Sequence, residues 1–346
     1  MRKRVMICVA ACLYYSGCVK LARWWTQRQK SYFIVLNYHT ASSGNLRQHM
    51  LYLRRHYHVM HLENALATAA SSSPGSDRRT PLVLTFDDGY HDNYTHAFAL
   101  ARELQVPITI FLIPGYIESG NRFWWLSKNH LVKHTQVEKV SVEGKIYHLH
   151  QPVERQALLQ VIDTHLRHAP SVAQRETFLL AMHEALAVPV AITPEEDATR
   201  PLMWAEIREM QQSGEVSFGA HTMHHPILSY LTDQQEVQRE IQECRVALEQ
   251  QLERPVRAFA YPVGQRAHIG ERVTQAVQQA GYDWAFTTLY GFNTRQSNRY
   301  LLRRIEADVN QHWLVLAVEA AGLWSFFSRL RWLPGIRAYI NKNPQK

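Results

Sequence analysis

Cysteine is scarce in this chain of 346 residues: there are four, and Cys8, Cys12 and Cys18 all fall in one apolar stretch at the N-terminus. Cys244 stands alone in the body of the chain, so neither a disulfide framework nor a thiolate zinc site can be built. Any metal has to be held by His and Asp or Glu, a harder donor set suited to zinc or to other divalent ions such as cobalt or manganese. The chain also lacks a C2H2 finger spacing, an aromatic RNA-binding signature and a Walker loop, and nucleic acid is therefore not expected as a partner. There is no internal repeat and no low-complexity tract, which excludes repeat architectures.

The N-terminal apolar run, Val5 to Val19, falls short of the about 20 residues that a spanning helix needs. Arg2 to Arg4 precede it, and together they read as an export signal or membrane anchor over residues 1–30. Leu21, Ala22, Trp24 and Trp25 extend the run toward the interface, but Lys20 and Arg23 interrupt it. Ser16-Gly17-Cys18 resembles a lipoprotein cleavage site except for Tyr15. Basic residues flank both sides, so orientation is open. The expectation is an exported, membrane-associated protein of the cell envelope or periplasm, with a cytoplasmic-facing anchor as the alternative.

What is present is an apolar content of 46%, enough for one large core. The formal charge of +8 suits an anionic partner, although scattered surface lysines and arginines give the same total. Phe33 to Leu36, Leu82 to Phe86, Ile108 to Ile113, Val216 to Ala220, Val256 to Tyr261 and Trp284 to Thr288 are strand-like runs. Helical segments at Leu46 to Arg55, Ala97 to Leu104, Gln234 to Leu252 and Glu271 to Ala280 alternate with them. The strands are solidly apolar, as parallel strands covered on both faces are, and the expected fold is an α/β barrel occupying 31–310. Ser71 to Arg79 reads as a surface loop. Residues 118–200 read as an insertion of helices and loops carrying no motif with attached chemistry. The last stretch, 311–346, reads as an apolar helix from Trp313 with a basic tail, packed on the barrel or touching a membrane through Trp324, Phe326 and Phe327.

Two clusters carry chemistry. Asp87-Asp88-Gly89 follows a strand directly, and in parallel α/β folds catalytic groups converge at strand C-termini. Adjacent carboxylates point different ways, so one can ligate a cation while the other addresses a water on it. His221 and His225 follow the candidate strand Val216 to Ala220, and at a spacing of four one helical turn would put both rings on one face, able to close on one ion. His224 would point elsewhere. One carboxylate with two imidazoles leaves coordination positions open.

The ordered series Thr85-Phe86-Asp87-Asp88-Gly89, His221-Thr222 with His225-Pro226, and Phe259-Ala260-Tyr261-Pro262 with Gly264 resembles the polysaccharide deacetylases, carbohydrate esterase family 4. The resemblance spans roughly Tyr32 to Asn310. It implies a distorted (β/α) barrel with one divalent metal ion, zinc foremost, with cobalt or nickel as alternatives. By it Asp87 maps onto the general base, and Asp88, His221 and His225 onto the metal ligands. Two departures stand out: Ala260 occupies the place of an Arg that many members aim at the base, and Leu301-Leu302-Arg303-Arg304-Ile305 lacks the late Leu-x-His of the general acid. Both resemble the poly-N-acetylglucosamine deacetylase branch, where the acid His comes from an N-terminal Tyr-His. That branch points to His39, after Tyr38, as the acid and to Arg304 as the substitute for the missing Arg; a core role for His39 is the alternative.

Tyr261 and Pro262 are expected at the substrate, with a backbone N–H near Tyr261 facing the oxyanion. Trp204 either stacks on a sugar or joins the core. Asp283-Trp284 resembles the family's fourth motif, although an N-terminal acid would leave Asp283 without its usual task. The implied activity is removal of N-acetyl groups from amino sugars of a polysaccharide or cell-envelope glycan. The alternatives are a deacetylase or deformylase of a lipid-linked sugar and, from another class, a catalytically silent carbohydrate-binding protein.

Overall fold

The computed structural model describes residues 2–28, 32–42, 44–70, 77–192 and 194–323. The aromatic contacts expected of Trp324, Phe326 and Phe327, and positions 71–76 of the expected surface loop, lie outside them. The strands are β1 (Ile34–Tyr38), β2 (His58–Val59), β3 (Pro81–Phe86), β4 (Ile108–Leu112), β5 (Lys139–Val142), β6 (Lys145–His148), β7 (Val216–Ala220), β8 (Ala258–Ala260), β9 (Trp284–Phe286) and β10 (Ile305–Glu306). The helices are α1 (Arg2–Tyr15), α2 (Cys18–Arg28), α3 (Leu46–His56), α4 (Leu62–Ala70), α5 (Ala99–Leu104), α6 (Trp124–His134), α7 (Pro152–Arg167), α8 (Val172–Ala185), α9 (Trp204–Gln212), α10 (Gln234–Leu252), α11 (Arg266–Gln279) and α12 (Trp313–Ala320).

The main sheet is parallel throughout, in the order β10-β1-β3-β4-β7-β8-β9, with β2 on the start of β3. Every residue of β1 and β4 is buried, which is why these strands read as apolar runs interrupted only by Asn37 and Thr109. Leu302 bridges in parallel to Phe286 while Ile305 pairs with Leu36. The segment between them thereby joins both edges of the sheet and closes it into a distorted (β/α) barrel. Outer helices bury a stripe apiece: α10 is capped by Asp233, whose carboxylate accepts from the Gln235 N–H at 2.8 Å, and buries Val237, Ile241, Cys244, Leu248 and Leu252.

Several elements differ from expectation for identifiable reasons. β8 is shorter than Val256 to Tyr261, because it is hemmed in by Pro255 and Pro262. The helix expected from Ala97 begins earlier, as a π-helical turn over Asn93–Phe98 that leads into α5. Residues 118–200 contain, besides helices, an antiparallel hairpin of β5 and β6. Its turn is Glu143-Gly144 with φ 51° and 77°, a left-handed pair that favours hairpins and that Glu-Gly signals weakly. This insertion has an apolar cluster of its own, including Phe123, Trp124, Leu158 and Ile162, and Tyr90 and Ile113 of the barrel belong to it.

The N-terminal helices bend by 65° from one another, and no single described helix is long and apolar enough to cross a membrane. They are docked on the barrel: Ala10 and Val19 are buried, and the Tyr14 ring meets Trp313 of α12 edge-on at 5.1 Å.

Candidate active site and metal centre

The site lies at the C-terminal ends of the strands. β3 delivers Asp87 and Asp88, and the chain reverses there with φ 74° at Asp88 and 69° at Gly89. A side chain at Gly89 would press on Leu112, so glycine serves both the left-handed turn and the close approach. The Asp87 N–H donates to the Tyr38 carbonyl at 2.9 Å, and the two carboxylates take different partners, Asp87 facing Arg304 and Asp88 facing His221 and His225.

His221 and His225 do converge, but not on a helical turn. They sit on an irregular loop after β7, with left-handed φ of 67° at Thr222 and 56° at His225. Pro226 disfavours helical backbone at His225, and the Thr222 hydroxyl accepts from the His225 N–H at 2.9 Å to close the loop. The ring centroids lie 4.7 Å apart. His221 Nδ1 is 2.7 Å from the Ala260 carbonyl, so it is the donor and Nε2 is left with its lone pair toward Asp88.

Asp88 Oδ1 is 3.5 Å from His221 Nε2 and 3.6 Å from His225 Nε2. These gaps are too long for hydrogen bonds, and they match the spacing of two ligands that each hold one ion at about 2.0–2.2 Å. The same oxygen is buried and has no hydrogen-bond partner among the described residues. Burial pushes the Asp88 carboxyl up, against the pull of His39 and His221. Burial also holds His225 well below the usual imidazole range, with His221 and Arg175 adding to the effect, so it is neutral with a lone pair to give. A buried carboxylate oxygen without a partner among the described residues, facing two imidazoles, is a donor set that fits a divalent cation. His224 faces away, its Nδ1 2.7 Å from Glu240.

Asp87 is held differently. Arg304, buried inside the barrel, places Nη1 and Nη2 each 2.7 Å from one Asp87 oxygen. The guanidinium is fixed in turn by the Thr287 carbonyl and by Asn37. Burial alone would raise the Asp87 carboxyl; Arg304, with His221 and His39, overrides it and holds it down to about 2. His39 follows β1, whose Tyr38 pairs with Phe86, so the register sets it beside Asp87. It is half-buried and acts electrostatically on Asp87, Asp88 and His225.

The polysaccharide deacetylase family model matches residues 75–285, well over half the chain, and covers Asp87, Asp88, His221 and His225 but not Asn37, His39 or Arg304. The chain belongs to the polysaccharide deacetylase family. Among curated proteins it is 22% identical to YxkH of Bacillus subtilis (strain 168), provisionally named a polysaccharide deacetylase, over 79% of this chain and 71% of that one. Its barrel is similar to the Streptococcus pyogenes deacetylase PplD, solved with acetate, at TM-score 0.53 and 17% identity over 82% of this chain and 96% of that one. IcaB from Ammonifex degensii gives TM-score 0.53 and 16% identity over 84% and 97%. At such identities the likeness is one of fold, and the fold is the deacetylase barrel.

Within this polysaccharide deacetylase framework the expectation for Tyr261 needs correction, and the open readings of Trp204 and Asp283 are narrowed. Tyr261 is buried, its ring against Phe259 and its hydroxyl donating to the Tyr300 carbonyl at 3.0 Å, so its side chain serves the core and not a sugar. Its N–H donates to the Phe286 carbonyl at 3.0 Å and is not a spare oxyanion donor. Pro262, also buried, continues that turn. Trp204 opens α9 and packs against the main core, which favours the core reading over stacking on a sugar. Asp283 lies at the opposite, N-terminal end of β9 between Arg257 and Arg299, both 3.8 Å away, and so is remote from the strand ends that carry the site.

Other site residues escaped notice in the sequence. Asp92, fully buried, accepts from the N–H groups of Ala41 and Ser42 at 2.7 and 2.8 Å, and Asn93 donates to the His39 carbonyl at 3.0 Å. Together they fix the loop that carries His39. The signal was a dense polar run, Tyr90-His91-Asp92-Asn93, directly behind the aspartates.

Proposed function

We propose that the protein is a metal-dependent hydrolase that removes N-acetyl groups from amino sugars of a polysaccharide or cell-envelope glycan. The observation that carries it is a buried Asp88 oxygen, without a hydrogen-bond partner among the described residues, facing two imidazoles one residue from a carboxylate clamped by arginine. Asp88, His221 and His225 would hold a divalent ion, zinc foremost, which polarises an acetamide carbonyl and acidifies water when bound. Asp87, kept ionised by Arg304 throughout the neutral range, accepts the proton of the attacking water. Arg304 positions that base. His39, beside it at the end of β1, donates a proton to the departing amine, and acetate and a free amino sugar result. A silent binding protein would have no use for a carboxylate held both ionised and oriented in this way. The test is acetate release from poly-N-acetylglucosamine and chitin oligomers by zinc-loaded protein and by Asp87→Asn. Release by the wild type and its loss in the variant are expected; bound zinc with no release across such a panel would favour the silent binder.

We further infer that the N-terminal helices attach the enzyme to a membrane. One face of the pair is docked on the barrel, while Val5, Val9, Leu21, Trp24 and Trp25 remain exposed beside Arg4, Lys20 and Arg28. An apolar, tryptophan-bearing face among basic residues suits the interface of an anionic bilayer. The same feature supports a lipid-linked sugar as the alternative substrate. Flotation with vesicles containing phosphatidylglycerol should carry the full chain upward and leave a Trp24→Ser/Trp25→Ser variant behind; equal flotation of both would dismiss this attachment.

A further inference from the structure

The insertion at 118–200 shows no catalytic motif in the sequence, yet two adjacent tryptophans of α6 both spend their indole N–H groups on the site. Trp124, fully buried, donates from Nε1 to the His225 carbonyl at 3.0 Å. Trp125 donates from Nε1 to the Tyr90 hydroxyl at 2.7 Å and lays its ring 4.3 Å from that of His225. Tyr90 follows the Asp88-Gly89 turn, and the Asp88 carboxylate acts electrostatically on its hydroxyl. Arg175 of α8, buried, reaches the same loop, donating to the His224 carbonyl at 3.0 Å and lying over the Trp124 ring.

We propose that the insertion is a clamp for the metal centre, in which Trp124, Trp125 and Tyr90 are positioning residues that fix His225 and Asp88 in their ligating orientation. This rests on the metal reading given above. The physical need is visible in the backbone: Asp88 and His225 both hold left-handed φ, a conformation costly for residues with side chains, and something must over-determine it. Trp124 pins the His225 peptide through its carbonyl. Trp125 holds the Tyr90 hydroxyl beside Asp88 by bonding its oxygen, and the Asp88 oxygen nearest the imidazoles has no hydrogen-bond partner among the described residues. The insertion thus stores, in side chains far apart in sequence, the orientation that the two ligand loops lack on their own.

The test is zinc affinity by chelator competition, with the visible spectrum of the cobalt-loaded protein, for wild type, Trp124→Phe, Trp125→Phe, Tyr90→Phe and Leu166→Ala. Each Phe variant keeps a ring and removes one polar group. We expect affinity to fall by about 10- to 100-fold in the three, as loss of partners behind ligands typically does, with an altered cobalt spectrum. Leu166→Ala loosens the insertion core without touching the site, and should lower the melting temperature while leaving zinc affinity within about twofold. Unchanged affinity in all three Phe variants would overturn the clamp, and so would a loss in Leu166→Ala equal to theirs, which would make the effect one of general stability. Tyr90→Phe removes a single oxygen and keeps the test decisive should a tryptophan variant fail to fold. If wild type and Asp88→Ala both bind no zinc, the metal reading itself has failed, an outcome distinct from the others.

Discussion

Replacing Arg304 by Met isolates the interaction on which the base depends. In the native barrel the guanidinium meets both Asp87 oxygens in a fully buried pair. Holding Asp87 at about 2 against an ordinary 3.8 amounts to about 2 kcal/mol of stability. The folded value is depressed, so that stability is present above pH 3.8 and is lost as pH falls through 2. Removing one partner costs more, about 3–5 kcal/mol, because a buried carboxylate is left uncompensated. At about 2–4 °C per kcal/mol for a chain of roughly this size, the melting temperature at pH 7.5 should fall by roughly 6–20 °C. In the variant burial is opposed only by the weaker pull of His221 and His39 and lifts the Asp87 carboxyl, so protonation relieves the penalty and the gap to wild type narrows on going to pH 4.5. The double variant Asp87→Asn/Arg304→Met carries no buried charge there and should be more stable than Arg304→Met alone at pH 7.5. Thermal melts of the three proteins at both pH values decide it. A double variant no more stable than the single one, or a gap independent of pH, would refute the reasoning.

Other consequences follow from the same geometry. His39→Ala should lower acetate release at least about tenfold while zinc remains bound, since a general acid typically contributes 10²- to 10⁴-fold; unchanged turnover would remove His39 from the chemistry. Glu319 is buried on α12 with one oxygen bonded to Gln311, and burial raises it to about 7. Its folded value exceeds the unfolded one, so the protein loses stability as pH rises from 4.5 through 7, and Glu319→Gln should melt higher than wild type at pH 8 by about 1–3 kcal/mol yet equally at pH 5. His49 is buried between the Tyr38 hydroxyl and the Gln311 carbonyl, and burial lowers it to about 4. Protonating the unfolded chain below 6.5 therefore destabilises the fold down to about pH 4, and a His49→Gln variant should show a flatter melting profile over pH 4–6.5; an identical profile would exclude this role.

Much of the barrel could be read from the sequence because its strands are buried on both faces and announce themselves as apolar runs, with Val216–Ala220 and Gln234–Leu252 matching expectation to the residue. The aspartate pair and the two histidines were legible for a different reason: chemistry needs those residue types at strand ends. The path that joins His221 to His225 was not, because a spacing of four suits a helix as well as a loop, and only Pro226 hinted at the latter. Arg304 was reached through the arginine missing at Ala260, and its pairing with Asp87 across 217 positions is a product of barrel closure that no local pattern encodes. The tryptophans of α6 were silent for the same reason. Their partners lie about 35 and 101 positions away, and as residues of an apolar insertion they look like core.

The central claim is that one divalent cation binds between Asp88, His221 and His225. Crystals of the zinc-loaded protein measured at the zinc absorption edge would test it most directly. The account predicts one anomalous peak about 2.0–2.2 Å from Asp88 and from Nε2 of both histidines. A zinc peak elsewhere on the molecule, or no peak between these three side chains in a protein that releases acetate, would contradict it.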